Sequence, residues 1–124
     1  DPSKEADASK CLNAARIVLN RGPIQLVVVH FPGGAVAITK DNEEFLVPSV
    51  AIPAKEIVGT NGAGDAFAAG ILYGLHEDWT LSATIQMAHA SAASSVRSLG
   101  TTDAVMSWQE CLKLASTWGW RTAI

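Results

Sequence analysis

Apolar and polar positions divide this chain into a short series of elements. Over residues 4–20, Ala8, Cys11, Leu12, Ala15, Val18 and Leu19 recur at helical spacing with charged residues between them. That pattern predicts an amphipathic helix, closed by Gly22 and Pro23. Leu26-Val27-Val28-Val29 is a continuous run rich in β-branched residues and predicts a buried parallel strand. Pro32-Gly33-Gly34 turns the chain, and Ala35–Thr39 with Phe45–Val50 predict a hairpin across Asp41-Asn42-Glu43-Glu44. Residues 64–76 and 81–97 read as two helices, the first so rich in Ala and Gly that close packing on the sheet is expected. Ser107-Trp108-Gln109-Glu110 is a capping box that opens a last helix reaching about Trp118. No linker, repeat or low-complexity tract intervenes, so residues 1–124 read as one domain.

Composition narrows the class without naming a function. Hydrophobic residues make up 48% and charged residues 17%, the balance of a chain with a buried sheet rather than a disordered one. The net charge of −3 and the absence of any basic run argue against a nucleic-acid partner. Cys11 and Cys111 lie far apart without metal-type spacing and read as small buried hydrophobes in a reducing compartment. No apolar run approaches 18 residues and no signal peptide is visible, so no membrane role is expected and the cytoplasm is the default location. Trp79, Trp108, Trp118 and Trp120 fall at loop starts and helix ends, where packing or interface roles are favoured over sugar stacking.

The candidate chemistry lies in Glu56-Ile57-Val58-Gly59-Thr60-Asn61-Gly62-Ala63-Gly64-Asp65-Ala66-Phe67-Ala68-Ala69-Gly70. A short apolar run feeds a glycine-rich turn, and the turn runs into a helical pattern. Gly62 and Gly64 are expected to permit positive φ and close approach of an anion, because neither has a Cβ. The first amides of the following helix lack intrahelical partners and carry the positive end of its dipole. Together these features predict a phosphate site. A carboxylate at Asp65 would repel that phosphate unless it had another task, and a general base aimed at an attacking hydroxyl is such a task. The bland alternative is a tight turn without a ligand, with Asp65 merely capping the helix. Two other phosphate motifs fail: no Lys follows the glycines as in a Walker A loop, and Phe67 occupies the third glycine position of a dinucleotide fingerprint.

Thr60-Asn61-Gly62-Ala63-Gly64-Asp65-Ala66-Phe67, with Gly70 following, resembles the C-terminal signature of the ribokinase-like (PfkB) carbohydrate kinases. Ala88-His89-Ala90-Ser91-Ala92-Ala93, then Val96 and Gly100, is similar to the family's helix and loop beside the adenine, and the resemblance covers roughly residues 5 to 120. It implies a three-layer α/β/α sandwich with a mostly parallel sheet and a small hairpin. It also implies ATP-dependent phosphorylation of a sugar or related alcohol. In that frame Asp65 is the base, Gly62, Ala63 and Gly64 form the anion hole, and Thr60, Asn61, Gly33, Gly34 and His89 meet the nucleotide. Mg²⁺ would bridge the phosphates. Family members are more than twice as long, so this chain, which starts at Asp1, is expected to be the C-terminal nucleotide-binding part alone. As a fragment it should be inactive without the sugar-binding half, which a longer parent or a partner chain would supply. A homodimer through the broken sheet edge is a further option.

Two segments depart from the family pattern. His30-Phe31-Pro32-Gly33-Gly34 stands where many members place Thr then Gly to meet the phosphates, so His30 is either a phosphate neighbour or a structural histidine. Gly59 replaces a common Asp that helps to bind a monovalent cation, which leaves potassium dependence open. His89 likewise reads either as an adenine neighbour or as a core-facing histidine bonded to backbone. A non-catalytic nucleotide-binding or interaction module derived from the fold is the alternative function. The acceptor, whether sugar, vitamin or nucleoside alcohol, is not encoded in these residues.

Overall fold

The computed structural model describes residues 8–57, 63–96 and 107–121. The chain forms two compact units, one drawn from Asp1–Ser49 and the other Val50–Arg121.

In the first unit, helix α1 (Ala8–Leu19) packs on a sheet of β1 (Leu26–Phe31), β2 (Gly34–Thr39) and β3 (Glu44–Pro48), in that order. Cys11, Ala15 and Leu19 are the buried stripe of α1. They meet Phe31, Val36 and Ile38, and Leu12, Val27 and Val29 close the layer. Alternate residues of β1 and β2 thus face the helix, as the period of two in a strand requires. Val18, assigned by spacing to the apolar stripe, is instead 45% exposed. The stripe is narrower than its periodicity suggested because only one helix face meets the sheet. Arg16 of α1 and Glu44 of β3 form an ion pair at the surface, a contact of small energetic weight.

Both strand pairs are antiparallel. Leu26 pairs with Thr39 and Phe31 with Gly34, and β3 pairs with β2 from Gly34↔Pro48 to Ile38↔Glu44. The parallel strand expected at Leu26–Val29 is therefore corrected on its paired side, and no parallel pair occurs among the described residues. The cause is local: only Pro32 and Gly33 separate β1 from β2, and a two-residue connection can only return a strand antiparallel. The hairpin between β2 and β3 forms where expected. Asn42 takes φ 64° at its tip, a left-handed conformation that Asn tolerates, and Thr39 Oγ1 accepts from the Glu43 amide at 3.1 Å.

The second unit is helical: a 3₁₀ turn (Ala54–Glu56), α2 (Ala63–His76), α3 (Leu81–Ser95) and α4 (Trp108–Trp118). Thr80 caps α3, its Oγ1 accepting from the Ala83 amide at 3.2 Å. Ser107 caps α4, accepting from the Glu110 amide at 3.2 Å while its hydroxyl donates to Glu110 Oε1 at 2.9 Å. The signal read from Ser107 and Glu110 is thus realised, with the Glu side chain returning to the cap hydroxyl. Gly119 ends α4 at φ 86° and accepts from the Ala51 amide at 2.7 Å. Val50, Met87, Ala90, Ala93, Cys111 and Ala115 form the core, and all four tryptophans pack against it. Their packing role is thereby settled, with Trp79 edge-on to Trp108 at 5.1 Å between ring centroids. Both cysteines are buried and neither is in a disulfide.

The smallness of α2 serves a partner other than the expected sheet. A Cβ on Gly70 would lie 2.6 Å from Ala88 Cα, and one on Gly74 would run into the Thr84 hydroxyl and stand 2.7 Å from its methyl. The glycines therefore let α2 and α3 cross at near-backbone contact.

Candidate active site

The signature residues divide at the helix boundary. Gly59, Thr60, Asn61 and Gly62 lie outside the described residues, whereas Ala63, Gly64 and Asp65 form the first turn of α2. Amides in a first turn have no carbonyl four residues earlier in the helix to bond, and they point outward along the positive end of the dipole. Gly64 and Asp65 are exposed there. A Cβ built on Gly64 would meet none of the described residues within 4 Å, and its φ is not left-handed. The expectation of positive φ at Gly64 is accordingly corrected: the helix itself sets its backbone. What glycine provides is a surface over the amides without a side chain, the kind of surface on which an anion can rest.

The contact between α2 and α3 holds this turn in place. Phe67, two residues beyond Asp65, is buried and stands edge-on to the imidazole of His89, with ring centroids 5.1 Å apart and planes at 65°. Gly70 follows against Ala88 one turn later. His89 is itself only 2% exposed and its ring meets Phe67 of α2. Sequence spacing did not reveal this partnership, although Gly70 and Gly74 four residues apart signal a close helix crossing.

The residues of the first unit proposed to approach the nucleotide are differently placed. Gly34 is buried and lies in the ladder, opposite Phe31 on one side and Pro48 on the other. The Pro32 carbonyl accepts from Ser49 Oγ at 2.9 Å and the Gly33 carbonyl from the Ser49 amide at 3.1 Å, so the hairpin turn is tied to the end of β3. His30 is exposed near the end of β1, and partial desolvation lowers its pKa below the ordinary imidazole value of 6.5. A neutral ring offers a phosphate a hydrogen bond at most, without a charge.

Among the described residues no group of three His, Cys, Asp or Glu could hold a metal ion, and no helix is long and apolar enough to cross a membrane. A cavity of about 300 Å³ beside α4 is lined, among the described residues, by Glu110, Lys113, Leu114 and Thr117.

Comparison with known proteins places this arrangement in a class. The fold matches that of Arabidopsis thaliana ribokinase complexed with ribose and ATP, with a TM-score of 0.75 at 23% identity, over 88% of this chain and 34% of that one. The chain is thus a partial ribokinase-fold α/β protein. Residues 2–109 match the pfkB family carbohydrate kinase model, and the chain belongs to that family. Among curated relatives, the 5-dehydro-2-deoxygluconokinase of Geobacillus kaustophilus is 38% identical over 80 residues, covering 64% of this chain and 23% of that protein. The adenosine kinase of Schizosaccharomyces pombe is 30% identical over 84 residues, covering 68% and 25% respectively. The chain thus spans about a quarter of the length of these curated relatives.

Proposed function

We propose that this chain is the nucleotide-binding and catalytic part of an ATP-dependent kinase acting on a hydroxyl of a sugar or related alcohol. The observation that carries the reading is the exposed Gly64 in the first turn of α2 with the Asp65 carboxylate beside it, in a chain of this family. Asp65 accepts the proton of the acceptor hydroxyl as that oxygen attacks the γ-phosphorus of ATP, while the bond to the leaving ADP oxygen breaks. The amides of Gly62, Ala63 and Gly64 hold the phosphoryl oxygens as negative charge builds in the transition state. Thr60 and Asn61 precede the turn and complete the phosphate loop, Gly33 is the more accessible of the two hairpin glycines, and His89 acts chiefly by fixing α2. Mg²⁺ would supply charge neutralisation to the phosphates when bound with the nucleotide, and the described residues hold no cluster of ligands of their own for it.

The remaining part of the kinase, which reads the acceptor, lies in a longer polypeptide or a partner chain. A second reading, a nucleotide-binding module without chemistry, draws on Gly59 in place of the family Asp and on the quarter-length match. Calorimetric titration with Mg-ATP separates the two when joined to turnover. Gly64→Val should weaken binding, because the new side chain fits the protein yet covers the amides. Asp65→Asn should bind nearly as well as the parent and lose about 10²-fold or more in turnover once the kinase is complete, the usual scale of general-base catalysis. Near-normal turnover of Asp65→Asn would remove the carboxylate from its role, and unchanged ATP affinity of Gly64→Val would remove the anion hole.

A further inference from the structure

Phe67, Gly70 and Gly74 are the buried residues of α2, and of the three only Phe67 has a side chain. Ridges of side chains fitted into grooves are what fix the rotation and register of one helix on another. Gly70 offers no ridge and lies against the backbone of Ala88, and Thr84 enters the gap at Gly74. That second contact is about 10 Å further along the axis from Phe67. At the end of α2 that carries Gly64 and Asp65, the buried side chain is therefore that of Phe67. It is 5% exposed and stands edge-on to the His89 ring, with centroids 5.1 Å apart.

We propose that Phe67, seated on His89, is a positioning residue for the phosphoryl-transfer step: it sets the rotation of the first turn of α2. With that rotation it sets where the Asp65 carboxylate and the Gly64 amide point. Residues two apart on an α-helix lie about 200° apart around the axis. Holding Phe67 against α3 thus turns Asp65 to the opposite side, where it is exposed. A misplacement of about 1 Å near a reacting group can cost about 10²-fold in rate. A carboxylate about 6 Å from the helix axis moves that far in a rotation of about 10°. A smaller apolar side chain at position 67 keeps the contact buried and gives up the ring edge that resists this rotation. The inference rests on the roles proposed for Asp65 and the first-turn amides.

The test compares Phe67→Leu and Phe67→Tyr in the full-length protein, with Gly74→Ala as control and Asp65→Asn as reference. Phe67→Leu should lower turnover at least about tenfold while the KM for Mg-ATP stays within about threefold of the parent, the split expected when only the transition state is affected. Phe67→Tyr keeps the ring and should recover most of the turnover. Gly74→Ala disturbs the other end of the same crossing and should lower stability without lowering turnover. Phe67→Met takes the place of Phe67→Leu if the leucine variant does not fold. Nitrogen-15 relaxation reads the turn without any reaction. Order parameters of the Gly64 and Asp65 amides should fall from about 0.85, the rigid value, toward about 0.6 in Phe67→Leu and hold in Phe67→Tyr and Gly74→Ala. Parent-like turnover in folded Phe67→Leu overturns the inference, as does an equal loss in Gly74→Ala. Near-normal turnover of Asp65→Asn removes the role of the carboxylate instead, and unchanged order parameters in Phe67→Leu would then overturn the inference on their own.

Discussion

Gly64 and the pair Gly70 and Gly74 lie on one helix and face opposite situations. None of the described residues stands within 4 Å of where a Gly64 Cβ would be, whereas Gly70 abuts the backbone of Ala88 and Gly74 the side chain of Thr84. None of the three has left-handed φ, so conformational freedom explains none of them. The interior pair was selected for a protein neighbour already present. At the first turn the space is clear, which is what a ligand would require. One residue type thus marks a closed crossing and an open site two turns apart, and only the surroundings tell them apart.

Adding a methyl group at each position sharpens that contrast. Gly70→Ala and Gly74→Ala should each lose about 1–3 kcal/mol, the usual cost of overpacking a well-fitted contact, seen as a lower denaturant midpoint with unchanged slope. For Gly74 the obstacle is one side chain. Its effect should therefore be relieved by Thr84→Ala, which also removes a buried hydroxyl that has no hydrogen-bond partner among the described residues. A coupling of about 0.5–3 kcal/mol in the double-mutant cycle is expected. No such relief is available at Gly70, where the obstacle is backbone. Additive effects of Gly74→Ala and Thr84→Ala would show that the two residues do not limit each other.

The opposite sign is expected at the open end. Gly64→Ala places a better helix former in clear space and should stabilise the protein by up to about 1 kcal/mol while weakening Mg-ATP binding. A gain in stability with a loss of affinity is the mark of a glycine kept for a ligand. If stability falls instead, the first turn has a protein neighbour and the contrast with Gly70 collapses.

Much of this architecture was legible because its signals are local. Ser107 and Glu110 announce the start of α4 through short side-chain bonds, and most of the buried face of α1 follows from spacing. The signature located Gly64 and Asp65 for the same reason, since a turn and a first helical turn are contiguous in sequence. Partners were harder. An apolar run such as Leu26–Val29 reveals a strand, here half-buried along that run, and leaves its pairing direction open; the two-residue Pro32-Gly33 turn decides it. The glycines of α2 reveal close packing without naming α3, and the two readings of His89, adenine neighbour or core-facing histidine, did not name Phe67, against which its ring stands. Val18 satisfied the helical period and still faces solvent, because periodicity does not say how wide the covering sheet is.

His30 extends the comparison between open and closed sites to the smallest expected effect. It is exposed near the end of β1, and partial desolvation disfavours its charged form. Its pKa is lower in the folded protein than in the unfolded chain, so the unfolded chain binds more proton between the two values. Stability should then rise with pH across that window. The penalty is fully present below the folded pKa and relieved above about 6.5, the ordinary imidazole value. Because the ring remains partly in water, the change should be small, a modest fall in melting temperature on going from neutral to mildly acidic solution. His30→Gln should remove that part of the pH dependence and leave the rest of the profile in place. Nuclear magnetic resonance titration of the ring provides the direct check. A midpoint above 6.5 would mean that an anionic group stabilises the imidazolium, and His30 would then regain its standing as a charged neighbour of phosphate.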